Sequence, residues 1–382
     1  MSADLPWGTL RECVRTRSFN VKYVDGESRV IEGGPMQKRR KFARIVSVLT
    51  LCAGVVTPVT FALVDATASA ASVNAGPIAI GYENNGADPS IISVANHYFE
   101  REMGRDVRLK LFSSGPAALT SLASGQLPFM CGLGMPPVIA AIAQGVPLQV
   151  VFNQERYTKD AGLVVKTSSG IKSIAGLAGK SVGLVIGSQS SFELATYAKK
   201  AGLKLSSVRL VNLTPPELQS AWLTNRIEAA IVWDPVYDFL VTHGGRILMD
   251  DSKLPVTATS FNICVANKSF AAKHPAVAKA FVKALGDGVS YLQKNRAAAM
   301  RVMAQAAGIS VATAKLEIAG YQIFSVADQA TAAVLGTSSA TSSTSGTAQS
   351  LLNNWKALYQ AGTITTKPPK SAGPYVNPSY AK

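Results

Sequence analysis

The chain has 382 residues, too many for one ordinary domain and enough for two with additions. Apolar residues make up 47% and charged residues 16%, which excludes an intrinsically disordered polymer. The formal net charge of +15 is spread thinly: beyond residue 70 the Lys and Arg are single, apart from Lys199-Lys200, with no interleaved aromatic platform, so nucleic acid is not an expected partner.

Residues 36–70 read as a secretory signal peptide. Met36 precedes a basic cluster, Lys38-Arg39-Arg40-Lys41 with Arg44, and an apolar run from Ile45 to Val64 ends at Ala68-Ser69-Ala70, a small-x-small exit. The apolar run approaches membrane-spanning length, but Pro58, Asp65 and the small-residue exit favour cleavage over an anchor. Residues 1–35 then precede the natural start and read as a non-native extension. The expectation is an exported, periplasmic protein beginning near Ala71.

Short apolar runs alternate with stretches of 3.6-residue period from there on. Strands are expected at Pro77–Tyr82, Val107–Phe112, Phe129–Leu133, Leu148–Phe152 and Leu163–Lys166. Helices are expected at Ser90–Met103, Pro116–Ser124 and Pro136–Gln144. A second set has strands at Ser181–Ile186, Val208–Leu213, Glu228–Trp233, Arg246–Met249 and Phe261–Ala266. Its helices follow Ser190 and Thr214, the latter with Pro215 at the first helical position and Glu217 closing a capping box. The chain turns mostly helical after His274, residues 337–350 read as a surface loop, and the last residues are proline-rich. This order predicts an α/β protein with largely parallel sheets in two lobes: residues 71–170 and 260–382 in the first, 171–259 in the second.

Ligands of such sheets sit beyond the carboxyl ends of strands, where small-residue turns open helices. Three turns qualify: Ser113-Ser114-Gly115-Pro116, Gly134-Met135-Pro136 and Gly187-Ser188-Gln189-Ser190-Ser191. Backbone N–H groups and hydroxyls at a helix start hold an anion without a cationic side chain, although Ser114, or Ser190 with Glu193, could equally be plain caps. Trp233-Asp234-Pro235 ends a strand; Trp233 offers a wall, and Asp234 offers either a partner for an amine or a helix cap. Asn262 is polar in an apolar run, and Tyr82 is either a pocket wall or a core residue. Cys131 and Cys264, each in an apolar run, are either buried thiols or a bridge, and neither has zinc-type spacing. No nucleophile elbow, phosphate loop or zinc-protease motif is present, so no enzyme activity, metal or cofactor is expected.

Several segments carry a resemblance. FSSGPAALTSLASGQLPFMCGLG (Phe112–Gly134), AQGVPLQVV (Ala143–Val151), IAGLAGKSVGLVIGS (Ile174–Ser188), VNLTPPELQSAWLTNRIEAAIVWDP (Val211–Pro235) and HPAVAKAFVKAL (His274–Leu285) resemble the substrate-binding proteins of ABC importers that take taurine, alkanesulfonates and nitrate. The taurine-binding branch is the most similar. The resemblance implies the two-lobe periplasmic binding protein type II fold with two crossover hinges. It implies a small sulfonate held by Ser114-Gly115 and Ser188–Ser191, a monomer, and partners in the permease and ATPase of the inner membrane. Taurine binders of this type tend to carry an acidic residue where this chain has Asn262. Two alternatives share the architecture: a ligand-sensing module for a receptor, and pyrimidine-precursor synthesis enzymes with a Cys/His iron cluster.

Overall fold

A computed structural model of the chain describes residues 76–254, 261–338, 341–360 and 362–382. The extension and signal peptide expected over 1–70 lie outside the described residues. The first lobe opens with β1 (Ile78–Glu83), α1 (Pro89–Ala95), α2 (Tyr98–Met103), β2 (Val107–Phe112), α3 (Gly115–Ala123), β3 (Phe129–Leu133), α4 (Met135–Ala143) and β4 (Leu148–Tyr157). The second lobe holds β5 (Ala161–Lys166), β6 (Ser181–Leu184), α5 (Gln189–Lys200), β7 (Arg209–Asn212), α6 (Pro215–Leu223), β8 (Ala229–Trp233), α7 (Val236–Thr242) and β9 (Gly245–Asp250). The chain then returns with β10 (Phe261–Asn267), α8 (Lys268–Lys273), α9 (Pro275–Lys294), α10 (Arg296–Ala307), α11 (Val311–Ala319), β11 (Tyr321–Ile323), α12 (Val326–Gln329) and α13 (Gly346–Gln360).

Each lobe is a sheet flanked by helices. The first has strand order β11-β4-β10-β3-β1-β2 and the second β7-β6-β8-β5-β9. Central strands such as β3 are buried at every position, as a strand covered on both faces must be, while edge strand β2 alternates in exposure until Phe112. In the first core Phe129 stacks on Phe281 at 4.3 Å and Phe281 on Phe99 at 5.5 Å, fixing α9 and α2 on one face of the sheet. Cys131 of β3 and Cys264 of β10 are bridged, so neither thiol is available as a nucleophile or metal ligand. Among the described residues no helix is long and apolar enough to cross a membrane.

Four expectations need correction. The sheets are mixed: β10 runs antiparallel to β3 and β4, β11 to β4, and β5 to β8 and β9, because the chain leaves and re-enters each lobe through a reversing strand. Ala161–Lys166 pairs with β8 and β9, so the first crossover lies at residues 158–160, and 161–170 leave the first lobe. The long helix expected over Ser90–Met103 is two, broken at His97 in the left-handed region (φ 54°). Within 337–350, residues 346 onward already belong to α13, with Thr347 and Ser350 buried.

Candidate functional site

The two lobes meet where helix starts face one another. Gly115 begins α3, Gly134 caps α4 and Ser188 caps α5, each following a strand end. A Cβ added to Gly134 would stand 2.9 Å from Cβ of Gln189 in the opposite lobe, so the absent side chain is what lets the lobes close here. Between them lies a small cavity of about 30 Å³, lined among others by Glu83, Gly115, Ser188, Ser190, Trp233 and Asn262.

The serines are not spent as caps. Ser114 and Ser188 occupy N-cap positions in extended conformation, yet neither side chain makes a cap hydrogen bond. Ser188 Oγ instead donates to Val185 O at 2.7 Å. Ser191 Oγ donates to the same carbonyl at 3.0 Å and accepts from Gly187 N at 3.0 Å, which shapes the loop. The side-chain amide of Gln189 is buried, with no hydrogen-bond partner among the described residues for either its oxygen or its nitrogen. Helix starts from both lobes thus bring undirected backbone N–H groups to one point, the arrangement that binds an oxyanion.

The opposite wall is acidic. Glu83 ends β1 and is 4% exposed, and its Oε1 has no partner. Behind it, Asp88 Oδ1 accepts from Ser90 N at 2.6 Å and from Gln154 Nε2 at 2.5 Å, and Gln154 Oε1 accepts from Gly132 N at 3.0 Å. Asn262 Nδ2 donates to Asp88 Oδ2 at 3.0 Å and to Glu155 Oε1 at 2.5 Å. That fixes the amide orientation and leaves Asn262 Oδ1 as a free acceptor. Among the described residues, the acids lining the cavity are Glu83 and, from α5, Glu193, and no Lys or Arg lines it. Burial, and then the charge of Asp88, hold Glu83 well above the usual carboxylate range; burial and Asp88 do the same to Glu155, and burial pushes Asp88 itself up to about 6. Uncompensated carboxylates in a dry wall attract a cationic group, which replaces their protons.

Of the residues singled out in the sequence, Gly115, Ser188, Gln189, Ser190, Trp233 and Asn262 line the cavity. Ser114 is buried at the α3 cap and Ser191 turns into its own loop. Met135 packs in the apolar core of the first lobe, because the first turn of α4 directs it into that core. Tyr82 lies one residue from Glu83 and, by strand alternation, on the other face. Asp234 is buried and does not line the cavity, with Oδ1 accepting from Asp238 N at 3.0 Å; it supports the start of α7, which begins at Val236 rather than Pro235. The sequence reading missed Glu83, Asp88 and Glu155. The polar run Asn153-Gln154-Glu155 inside an otherwise apolar strand was the available signal, since all three are buried.

Comparison with known proteins gives the family and the fold. The chain is 32% identical over 211 residues to the taurine-binding periplasmic protein of Escherichia coli (strain K12), covering 55% of this chain and 64% of that one. It therefore spans less than two thirds of that relative's length. The alkanesulfonate-binding protein SsuA from Xanthomonas axonopodis pv. citri bound to MOPS superposes with TM-score 0.58 at 24% identity, over 68% of this chain and 92% of that one. The desulfurization enzyme DSZB superposes with TM-score 0.56 at 13% identity, over 80% and 97%. These structural likenesses establish the fold, which serves binding proteins and at least one enzyme alike. The pattern of the NMT1/THI5-like family matches residues 88–299, more than half of the chain, and the chain belongs to that family.

Proposed function

We propose that the protein is the solute-binding component of an importer, capturing a small zwitterionic aminosulfonate of the taurine type, and that it is not an enzyme. One observation carries the reading: helix starts from both lobes face buried Glu83, with Asp88 and Glu155 behind it, across a cavity that no Lys or Arg lines among the described residues. A sulfonate suits the N–H groups at Gly115, Gln189 and Ser190, Ser188 N being spent on Val185 O, and an ammonium suits Glu83, with Asn262 Oδ1 as a neutral acceptor beside it. The ligand touches both lobes at once, so it favours the closed arrangement by differential binding. The taurine-binding relative supports this substrate class, and a permease with its ATPase would be the receiving partners. Export to the periplasm fits both that relative and the basic-apolar-small pattern of residues 36–70.

Calorimetry with taurine, ethanesulfonate, sulfate and nitrate tests the reading. Taurine should bind tightest and ethanesulfonate, which lacks the amine, at least about tenfold more weakly, one neutral-to-charged hydrogen bond being worth about 1.5–3 kcal/mol. Binding by none of the four would overturn it. Within the same series, Ser190→Ala should weaken taurine and ethanesulfonate alike, by about 2–12-fold for one lost neutral hydrogen bond of about 0.5–1.5 kcal/mol. Unchanged affinities for both would remove Ser190 from the sulfonate contact.

A further inference from the structure

A second group of acids lies at the hinge, outside the lining of the cavity. Asp234 follows β8, Asp238 is in the first turn of α7, and Glu317 comes from α11 of the other lobe. One carboxylate oxygen from each lies within 4.8 Å of the others. Asp234 and Glu317 are both 0% exposed. Each has one oxygen already used: Asp234 Oδ1 accepts from Asp238 N, and Glu317 Oε2 accepts from Ala87 N at 2.6 Å. The remaining oxygens, Asp234 Oδ2 and Glu317 Oε1, have no partner among the described residues.

A fourth carboxylate stands beside them. Asp160 occupies the first crossover, its backbone O accepts from Asp234 N at 3.0 Å, and its buried Oδ2 also has no partner. Its side chain feels the charges of Asp238 and Glu317, offset in part by Lys159. Glycines make the room. A Cβ on Gly320 would overlap the Asp160 carboxylate, and one on Gly86 would overlap that of Glu317. Buried carboxylates left facing one another without a counter-charge are costly unless protonated or bound to a cation.

Ligand oxygens about 2.3–2.6 Å from one ion stand no more than about 5 Å apart, which matches this spacing. All the donors are oxygens, which selects a hard ion over zinc or copper. Half-buried Asp238 also lines an interlobe groove of about 720 Å³, together with Pro215 of α6 and Leu316 of α11, and this supplies an entry path. We propose that Asp234, Asp238 and Glu317, with Asp160 beside them, form a binding site for a hard divalent cation of the calcium class that ties the two lobes together at the hinge. The ion would clip α11 of the first lobe to the β8–α7 corner of the second, so its site is complete only while those elements stay together.

The test uses the purified protein, stripped with a chelator and titrated with calcium chloride in the absence of any sulfonate. Calcium should raise the melting temperature by about 5 °C at a hundredfold excess over its Kd. Terbium, a calcium surrogate, should show sensitised luminescence, because Tyr157 and Tyr321 lie near enough to feel the charge of Asp234. Asp238→Asn, at a half-buried position that tolerates the change, should weaken calcium at least about tenfold, and Glu317→Gln should do the same. The proposal is overturned if calcium, magnesium and manganese at millimolar concentration give neither heat nor a melting shift. It is equally overturned if both variants respond as the unaltered protein does, since the ion would then sit elsewhere.

Discussion

Glu83→Gln should collapse the preference for taurine over ethanesulfonate, with taurine weakened by about 30-fold or more and ethanesulfonate changed by less than about threefold. The asymmetry follows from where the charge sits. Glu83 is buried at the end of β1, has one oxygen without a partner, and carries its proton far above the ordinary carboxylate range because burial and Asp88 oppose its ionisation. An arriving ammonium supplies the missing counter-charge and displaces that proton. A glutamine keeps the shape and can still accept a hydrogen bond, but it cannot ionise. Breaking one partner of a buried charged pair costs about 2–5 kcal/mol, or about 30-fold at the lower bound. Ethanesulfonate never recruits the charge and meets a neutral wall in either protein. Calorimetry in two buffers of different ionisation enthalpy adds an independent reading, since taurine should release close to one proton near pH 6 and ethanesulfonate none. Equal losses for both ligands would mean that Glu83 shapes the cavity rather than recognising an amine.

The contrast between the two walls also explains what was legible in the sequence. The wall of helix starts is local. A glycine or serine after an apolar strand, followed by a helical period, describes a helix start whatever the rest of the chain does, and Gly115, Ser188, Gln189 and Ser190 were all found that way. The capping box of α6 was equally local, and Thr214 N does donate to the Glu217 carboxylate at 2.8 Å.

The acidic wall is built from distant pieces. Glu83 comes from β1, Asp88 from the cap of α1, Glu155 from β4 and Asn262 from β10 after the return crossover, and only the insertion of β10 between β3 and β4 brings them together. Read alone, Asp88 before Pro89 is a helix cap, which it also is. Asn262, read alone, is a neutral replacement for an acid; in the fold its amide nitrogen is held by two acids, Asp88 and Glu155. The misplaced lobe boundary has the same origin. Residues 158–160 contain no Gly or Pro to mark a crossover, and Ala161–Lys166 is an ordinary strand until its partners β8 and β9 are known.

Thermal stability of the ligand-free protein should fall as pH rises from about 4.5 to about 7, while taurine affinity rises over the same interval. Both slopes come from the same acids. Asp88 titrates near 4 when unfolded and at about 6 when folded, and Glu83 and Glu155 move in the same direction. The folded state therefore holds more protons than the unfolded chain across this window, and linkage makes stability decline as pH increases through it. The Asp88 shift alone corresponds to at most about 3 kcal/mol. An ammonium ligand prefers the ionised wall, so the protons that stabilise the free protein oppose binding, and the two pH dependences must run against each other. Asp88→Asn preserves a competent cap for α1 while removing one titrating group, so it should flatten the stability profile. Melting curves and calorimetric titrations at half-unit steps decide the matter. A stability profile that rises with pH, or a taurine affinity that stays flat while Asp88→Asn changes nothing, would remove the acidic wall from ligand recognition.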